Sequence, residues 1–309
     1  MPEKKAENNK LHPAKPFLKW AGSKRQLLNH FNKLYPQKLK EGAIQNYYEP
    51  FLGSGAVFFD IAQRYQIEHA CLCDVNEDLV LTYKMVQLHV SALTAALYQH
   101  QEKYLPLDKA ARLTYFYDQR TRFNMQRFDK GIDKNIRKQI ARAARLIFLN
   151  RTCFNGLFRV NAKGAFNTPA GDYIKPAICD EQNLLAVSGL LKNVTIKKAD
   201  FTNVLEAVKP ASFVYFDPPY RPLSRSASFT AYSKSAFTDV QQAKLAEVYK
   251  ELSKKGAAVM LSNSDTNDLF FDNLYQGFHI TRVPAKRLIN ADATKRGTVN
   301  EIVVTNYQV

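Results

Sequence analysis

SFVYFDPPY, residues 212–220, decides the fold. A run of β-branched and aromatic residues that stops at a carboxylate and two prolines reads as a buried parallel strand, because Pro219 can neither donate a ladder hydrogen bond nor continue the strand. The chain must turn sharply at Asp217. Ligands of open α/β sheets bind beyond the carboxyl ends of the strands, so Asp217, Pro218, Pro219 and Tyr220 belong to a candidate site. The Asp217 carboxylate and the Pro218 carbonyl, held by a stiff turn, can accept both hydrogens of an exocyclic amine and leave its lone pair free to attack an electrophile. Tyr220 offers a flat face on which a base can stack.

Upstream, NYYEPFLGSG followed by AVFFDIAQRY reads as strand, glycine turn and helix. Gly53 and Gly55 permit a tight turn and close approach of a ligand to a helix N-terminus. The next strand, HACLCD, ends in Asp74, 19 residues beyond Gly55, the spacing at which an acidic residue reaches ribose hydroxyls. Its structural alternative is an N-cap for the helix that starts near Asn76. At the amino end, FLKWAGSKRQLL breaks at Ala-Gly-Ser before a helix start, with Ser23 as N-cap. Lys24 in that first turn opposes the helix dipole, which favours a ligand role over a structural one.

Residues 76–100 read as helix, and the alternating rhythm then breaks between about 102 and 179. Over 133–150, Ile136, Ile140, Ala143 and Ile147 fall on one helical face, with Arg137, Lys138, Arg142 and Arg145 on the other as an expected basic stripe. An irregular loop follows, NRTCFNGLFRVNAKGAFNTPAGDY, rich in Gly, Asn and Arg. Arg159 and the loop asparagines have the chemistry to read guanine and adenine edges. The sheet resumes with NVTIKKADF, where Asp200 either caps the next helix or faces a ligand. RPLSRSASFTAYSKSAF, after the DPPY turn, reads as a mobile Ser-rich lid. A helix over 238–254, the strand GAAVMLSNS, a helix over 266–275, the strand FHITRV, a basic loop with Lys295 and Arg296, and the terminal strand VNEIVVTNYQV complete the chain.

The 309 residues carry a net charge of +16, and between 101 and 164 there are 15 Lys or Arg against 5 Asp or Glu. A polyanion partner accounts for that surplus, and the interleaved aromatics and amides favour nucleic acid over a membrane surface. No apolar run reaches membrane-spanning length and the start MPEKKAENNK is unlike a signal, so a soluble, cytoplasmic protein is expected. Cys71, Cys73, Cys153 and Cys179 have neither zinc spacing nor disulfide density, and no metal site is expected.

FLKWAGSK (17–24), YEPFLGSG (48–55), NRTCFNGLFRVN (150–161) and the DPPY turn, in this order, resemble the DNA adenine methylase (Dam-like) family of N6-adenine DNA methyltransferases. The likeness runs from about Lys15 to Tyr307. It implies an α/β class I, Rossmann-like methyltransferase sheet with helices on both faces and an antiparallel last strand. Residues 1–14 would be a mobile tail, 15–100 and 180–309 the cofactor-binding and catalytic domain, and 101–179 a target-recognition domain.

By this resemblance S-adenosylmethionine would lie against Trp20, Lys24, Phe51, Gly53, Gly55, Asp74, Asp200, Phe201 and Asp217. Double-stranded DNA would be held by Lys19, Arg137, Lys138, Arg145, Asn155, Arg159, Pro169, Tyr173 and Arg296. The target adenine would be flipped out for direct transfer. Two departures stand out: Ser23 replaces a usual glycine, and Asp172 replaces a usual basic residue before Tyr173. NGLFR and FNTPAG are most similar to the branch that methylates GATC, in bacteria or phages, with or without a restriction endonuclease acting separately at the same site. Three rivals remain at this level: an N4-cytosine enzyme, which usually has Ser at Asp217; a glutamine-modifying enzyme with an NPPY turn, which needs no basic insertion; and a DNA-binding module with a vestigial cofactor pocket.

Overall fold

Strand β4 (Ser212–Phe216) is buried at every position and divides the interior in two. Phe213 and Tyr215 enter one apolar cluster with Phe31, Tyr35 and Tyr47, while Val214 and Phe216 enter the other with Leu245, Tyr249 and Leu261. A strand covered on both faces needs an unbroken apolar run, which SFVYF supplies. The computed structural model describes residues 12–221, 237–266, 268–286 and 298–309.

The other strands are β1 (Asn46–Glu49), β2 (His69–Asp74), β3 (Val194–Lys198), β5 (Ala258–Ser264), β6 (His279–Lys286) and β7 (Thr298–Thr305). They form one seven-stranded sheet in the order β3-β2-β1-β4-β5-β7-β6. β7 runs antiparallel to both neighbours, and the other pairings are parallel. The strand order reverses between β1 and β4, so the chains leaving their carboxyl ends diverge and open a crevice. The helices are α1 (Leu28–Leu34), α2 (Gln37–Lys40), α3 (Ala56–Arg64), α4 (Glu77–Tyr104), α5 (Lys109–Met125), α6 (Ile136–Thr152), α7 (Glu181–Leu191), α8 (Val204–Ala207), α9 (Asp239–Lys254) and α10 (Phe270–Leu274). Among the described residues no helix is long and apolar enough to cross a membrane.

Several sequence expectations are corrected. Residues 1–11 of the expected tail lie outside the described residues, but Ala14 is buried and exchanges two hydrogen bonds with the Gln63 carboxamide, at 2.8 and 3.0 Å. The helix expected over 266–275 is only α10, because Leu269 takes a left-handed φ of 57° immediately before it. Most of the expected lid (222–236) and the loop with Lys295 and Arg296 lie outside the described residues. Helix α4 runs past residue 100 to Tyr104, and His89 (φ −140°) kinks it.

The basic stripe of α6 is narrower than its helical wheel suggests. Arg142 is buried, its guanidinium 4.2 Å from the centre of the Phe123 ring. It donates to both oxygens of Asp78 at 2.6 and 2.9 Å and to the Phe123 carbonyl at 2.8 Å. Three charge-assisted bonds in fixed geometry offset its desolvation. The pair fastens α6 and α5 to the first turn of α4. We expect Arg142→Leu to cost about 3 kcal/mol in denaturant unfolding by leaving Asp78 unpaired, and the Arg142→Leu/Asp78→Leu double variant to lose less than the sum of its two singles.

Candidate active site

A cavity of about 610 Å³ occupies the crevice beyond β1 and β4. That volume suits a cofactor-sized ligand. Trp20, Lys24, Phe51, Gly53, Asp74, Asp200 and Phe201, seven of the residues singled out for a cofactor, line it together with Asp217, Pro218, Pro219 and Tyr220. Gly55 stands behind the wall. With φ at +66°, it turns the chain into α3, and a Cβ there would lie 2.8 Å from the Tyr83 hydroxyl. Gly53 (φ +47°) is close-packed in the same way, with Trp20 3.2 Å from where a Cβ would stand.

The catalytic turn is held by a lysine. Lys24 begins a short 3₁₀ helix (Lys24–Leu27) and is only 2% exposed. Its Nζ donates to Asp217 Oδ1 at 2.5 Å and to the Gly22 carbonyl at 2.7 Å, and it stands 4.7 Å from the centre of the Tyr220 ring. Lys24, expected to face a ligand, has an internal partner, Asp217, at the edge of the cavity. Ser23 occupies the N-cap position, yet its hydroxyl accepts from Ser54 rather than capping the helix. Burial raises the Asp217 carboxyl above its ordinary range, against the opposing pull of Lys24 and of Ser262, whose hydroxyl donates from 3.4 Å.

Behind this turn lie residues that sequence reading passed over. The Tyr220 hydroxyl donates to Glu301 Oε2 at 2.5 Å. Gln242 donates to the Pro219 carbonyl at 3.2 Å, and Ser264 to the Arg221 carbonyl at 3.0 Å. Arg221 then pairs with Asp239 at 2.7 Å and with Asp268. Glu49, at the end of β1, lines the cavity with its carboxyl raised by burial and bound by the Tyr47 hydroxyl at 2.8 Å. Its place next to the glycine turn in YEPF was a readable signal. Glu301 had none, since it lies 81 residues beyond Tyr220 in a strand of ordinary composition.

On the far wall the Asp74 carboxylate accepts from the Gly53 amide at 3.1 Å and the Asn76 amide at 2.9 Å. Asn76, not Asp74, caps α4, accepting from the amides of Asp78 and Leu79. Asp200 does cap: it accepts from Thr202 in a capping box closed by Asn203. It also borders the cavity, so capping does not remove it from the cavity wall. Phe201 stacks on Phe51 at 5.5 Å, giving an aromatic wall.

The loop after α6 folds as a hairpin-like turn, bridged at Cys153–Ala170 and Val160–Phe166. Asn150 is buried at its base. Its carboxamide accepts from the Lys19 amide at 2.8 Å and donates to the carbonyls of Lys19 and Gly156 at 2.7 and 2.8 Å. Its part is therefore internal, as is that of Arg151, which donates to the Phe17 carbonyl. Phe158 stacks on Trp20 at 5.4 Å and joins the hairpin to the cavity wall.

Arg159, Asn155 and Pro169 are exposed on this hairpin, and Arg159 is held by Asn167 Oδ1 at 2.8 Å. Lys19 Nζ stands 4.1 Å from the centre of the Tyr173 ring. Asp172 pairs with Lys109. On α6, Arg137 is exposed, Lys138 pairs with Asp129 at 2.8 Å, and Arg145 is half-buried against Gln119. Arg296 lies outside the described residues.

The arrangement offers a carboxylate and a flat ring beside a walled cavity, with a basic hairpin adjoining it. A family model described as D12 class N6 adenine-specific DNA methyltransferase matches residues 20–289. The type II methyltransferase M.MjaIII of Methanocaldococcus jannaschii is 48% identical over 294 residues, which cover 95% of this chain and 99% of that one. The type II methyltransferase M1.LlaDCHI of Lactococcus lactis subsp. cremoris is 36% identical, covering 97% and 98%. The DNA adenine methylase of Escherichia coli is 32% identical, covering 93% of each chain. Family match and near-complete coverage agree with the geometry of the DPPY turn: this chain belongs to the D12 class of N6-adenine-specific DNA methyltransferases, enzymes whose methyl donor is S-adenosylmethionine.

Proposed function

We propose that the chain binds S-adenosylmethionine in the crevice between β1 and β4 and methylates an adenine flipped out of double-stranded DNA, within GATC. The observation that carries this reading is the convergence of the Asp217–Tyr220 turn and the Asp74, Phe51 and Phe201 wall on one cavity. The fit is chemical as well as spatial. Asp74 can face a ribose, Phe51 and Phe201 present an aromatic slot, and the glycine turn at Gly53 admits close approach. The carboxylates of Glu49, Asp74 and Asp217 suit a cation. Bound there, the cofactor supplies an electrophilic methyl carbon.

The protein's own work falls to the turn. Tyr220 stacks the extruded base, at an unpairing cost of a few kcal/mol. Asp217 and the Pro218 carbonyl accept the two N6 hydrogens. Lys24 already holds Asp217 Oδ1, so it favours the ionised carboxylate against the effect of burial and must share or release that oxygen when the amine arrives. Residues 101–179 serve as the recognition part, with Lys19, Asn155, Arg159, Pro169 and Tyr173 near the base pairs. Arg137, Lys138, Arg145 and Arg296 serve the phosphates. GATC rests on the NGLFR and FNTPAG motifs. The type II names of two relatives are consistent with a partner endonuclease acting separately on the same sequence, and DNA as the substrate fits a cytoplasmic protein. Sequencing DNA modified by the protein is expected to place methyladenine in GATC, and any other context overturns that assignment.

Four outcomes are expected. Asp217→Ala should leave DNA affinity unchanged and reduce turnover to below a few per cent; greater residual activity would remove Asp217 from the chemistry. Because the ionised carboxylate is the form that accepts N6, kcat/KM should fall as pH drops through the Asp217 pKa of the free enzyme, with an acid limb above the ordinary value of 3.8. Lys24→Met removes the opposing charge, so that limb should move to still higher pH, and a shift to lower pH would contradict the ion-pair account. If Arg159 reads guanine, Arg159→Ala should cost about 1–3 kcal/mol on the cognate duplex and flatten discrimination at one base pair, whereas an equal loss on every duplex assigns it to phosphate.

A further inference from the structure

Tyr220 has a ring in the cavity and a hydroxyl directed away from it. The hydroxyl meets Glu301, a residue that does not line the cavity. Glu301 lies in the middle strand of an antiparallel triplet, in register with Ser264 of β5 on one side and Val283 of β6 on the other. Its strand is therefore bonded into the sheet along both edges, a rigid place from which a side chain can act. The flanking Ile302 is buried in one core and Val303 in the other, which fixes the strand's facing. Burial raises the Glu301 carboxyl, and Lys24 draws it back down. The Tyr220 hydroxyl is itself raised well above the usual phenol range, so it stays protonated and donates.

We propose that Glu301 is a positioning residue for methyl transfer: it anchors the Tyr220 hydroxyl to the sheet and thereby sets the plane of the ring on which the target base stacks. This rests on Tyr220 being the stacking platform. A tyrosine after two prolines has a constrained backbone but a side chain free to rotate about χ1 and χ2. Lys24 limits the ring only by a contact of its ammonium, 4.7 Å from the ring centre, and that contact weakens when an amine competes for Asp217. The bond to Glu301 is the restraint that survives substrate entry, because it lies outside the cavity. A phenol donating to a carboxylate is a strong, directional bond. Its loss leaves the platform present but loosely oriented, which lowers the rate of transfer more than the affinity for DNA.

The test is a double-mutant cycle in the full-length protein, reading kcat, KM for a GATC duplex, cofactor affinity and melting temperature. Tyr220→Phe and Glu301→Ala are each expected to lower kcat about tenfold with KM and cofactor affinity little changed. The double variant should be no slower than either single, since both remove one bond. Glu301→Gln, which keeps an acceptor oxygen, should recover most of the loss. Additive losses, a full rate in either single, or equal loss in the Gln and Ala variants would overturn the proposal. Should Glu301→Ala fail to fold, Tyr220→Phe and Glu301→Gln decide alone, because a full rate in Tyr220→Phe is sufficient to reject it. Tyr220→Ala separates the underlying reading: an unchanged rate there removes the platform and the inference together. A slow Tyr220→Ala with a fast Tyr220→Phe removes only the inference.

Discussion

Everything in this molecule depends on two parallel strands that lie side by side and send the chain away in opposite directions. β1 leads into the Gly53–Gly55 turn toward α3 and β2; its neighbour β4 leads into the proline turn toward α9 and β5. Neither loop can cross the gap between them, so the sheet itself leaves a crevice whose walls come from distant parts of the sequence. The phenylalanines and tyrosines on both sides of β4 are large because they must fill two cores at once. The stiffness they provide is what holds a short turn such as Asp217–Tyr220 in a fixed place.

Charge is sorted between the surface and this crevice. The chain as a whole is strongly basic, whereas the cavity, among the described residues, is lined by Glu49, Asp74, Asp200 and Asp217 with the ammonium of Lys24. A polyanion is attracted to the exterior, and a cation is favoured inside. Under the proposed reading the donor carries a sulfonium charge that its product lacks.

Where the sequence was legible, the signal was local. The β4 run, its prolines, the glycine turn and the acid 19 residues beyond it each declare themselves within a few positions, and the structure brings them to one cavity. What escaped reading depends on partners far away in the chain. Arg142 looked like one more cation on a basic helix, because its counter-ion Asp78 lies 64 residues upstream. Asn150 looked like a base reader in an asparagine-rich loop, but its carboxamide is consumed by the backbone of Lys19, 131 residues earlier. Helical periodicity reports which face is polar on average; it does not reveal which polar residue a neighbouring element will cover.

The Asn150 carboxamide also bears on how such a protein can change over generations. It fastens the root of the hairpin to the Lys19 backbone, and Phe158 against Trp20 does the same from the side, while Arg159, Asn155 and Pro169 remain outward on the turn. Root and tip thus differ in their bonding. Under the proposed reading, substitutions at the outward positions would alter which bases are met, whereas a change at Asn150 would disturb the mount itself. The hairpin would then be a reading head on a fixed mount, its tip meeting the DNA while its root is bound to the cavity's own wall.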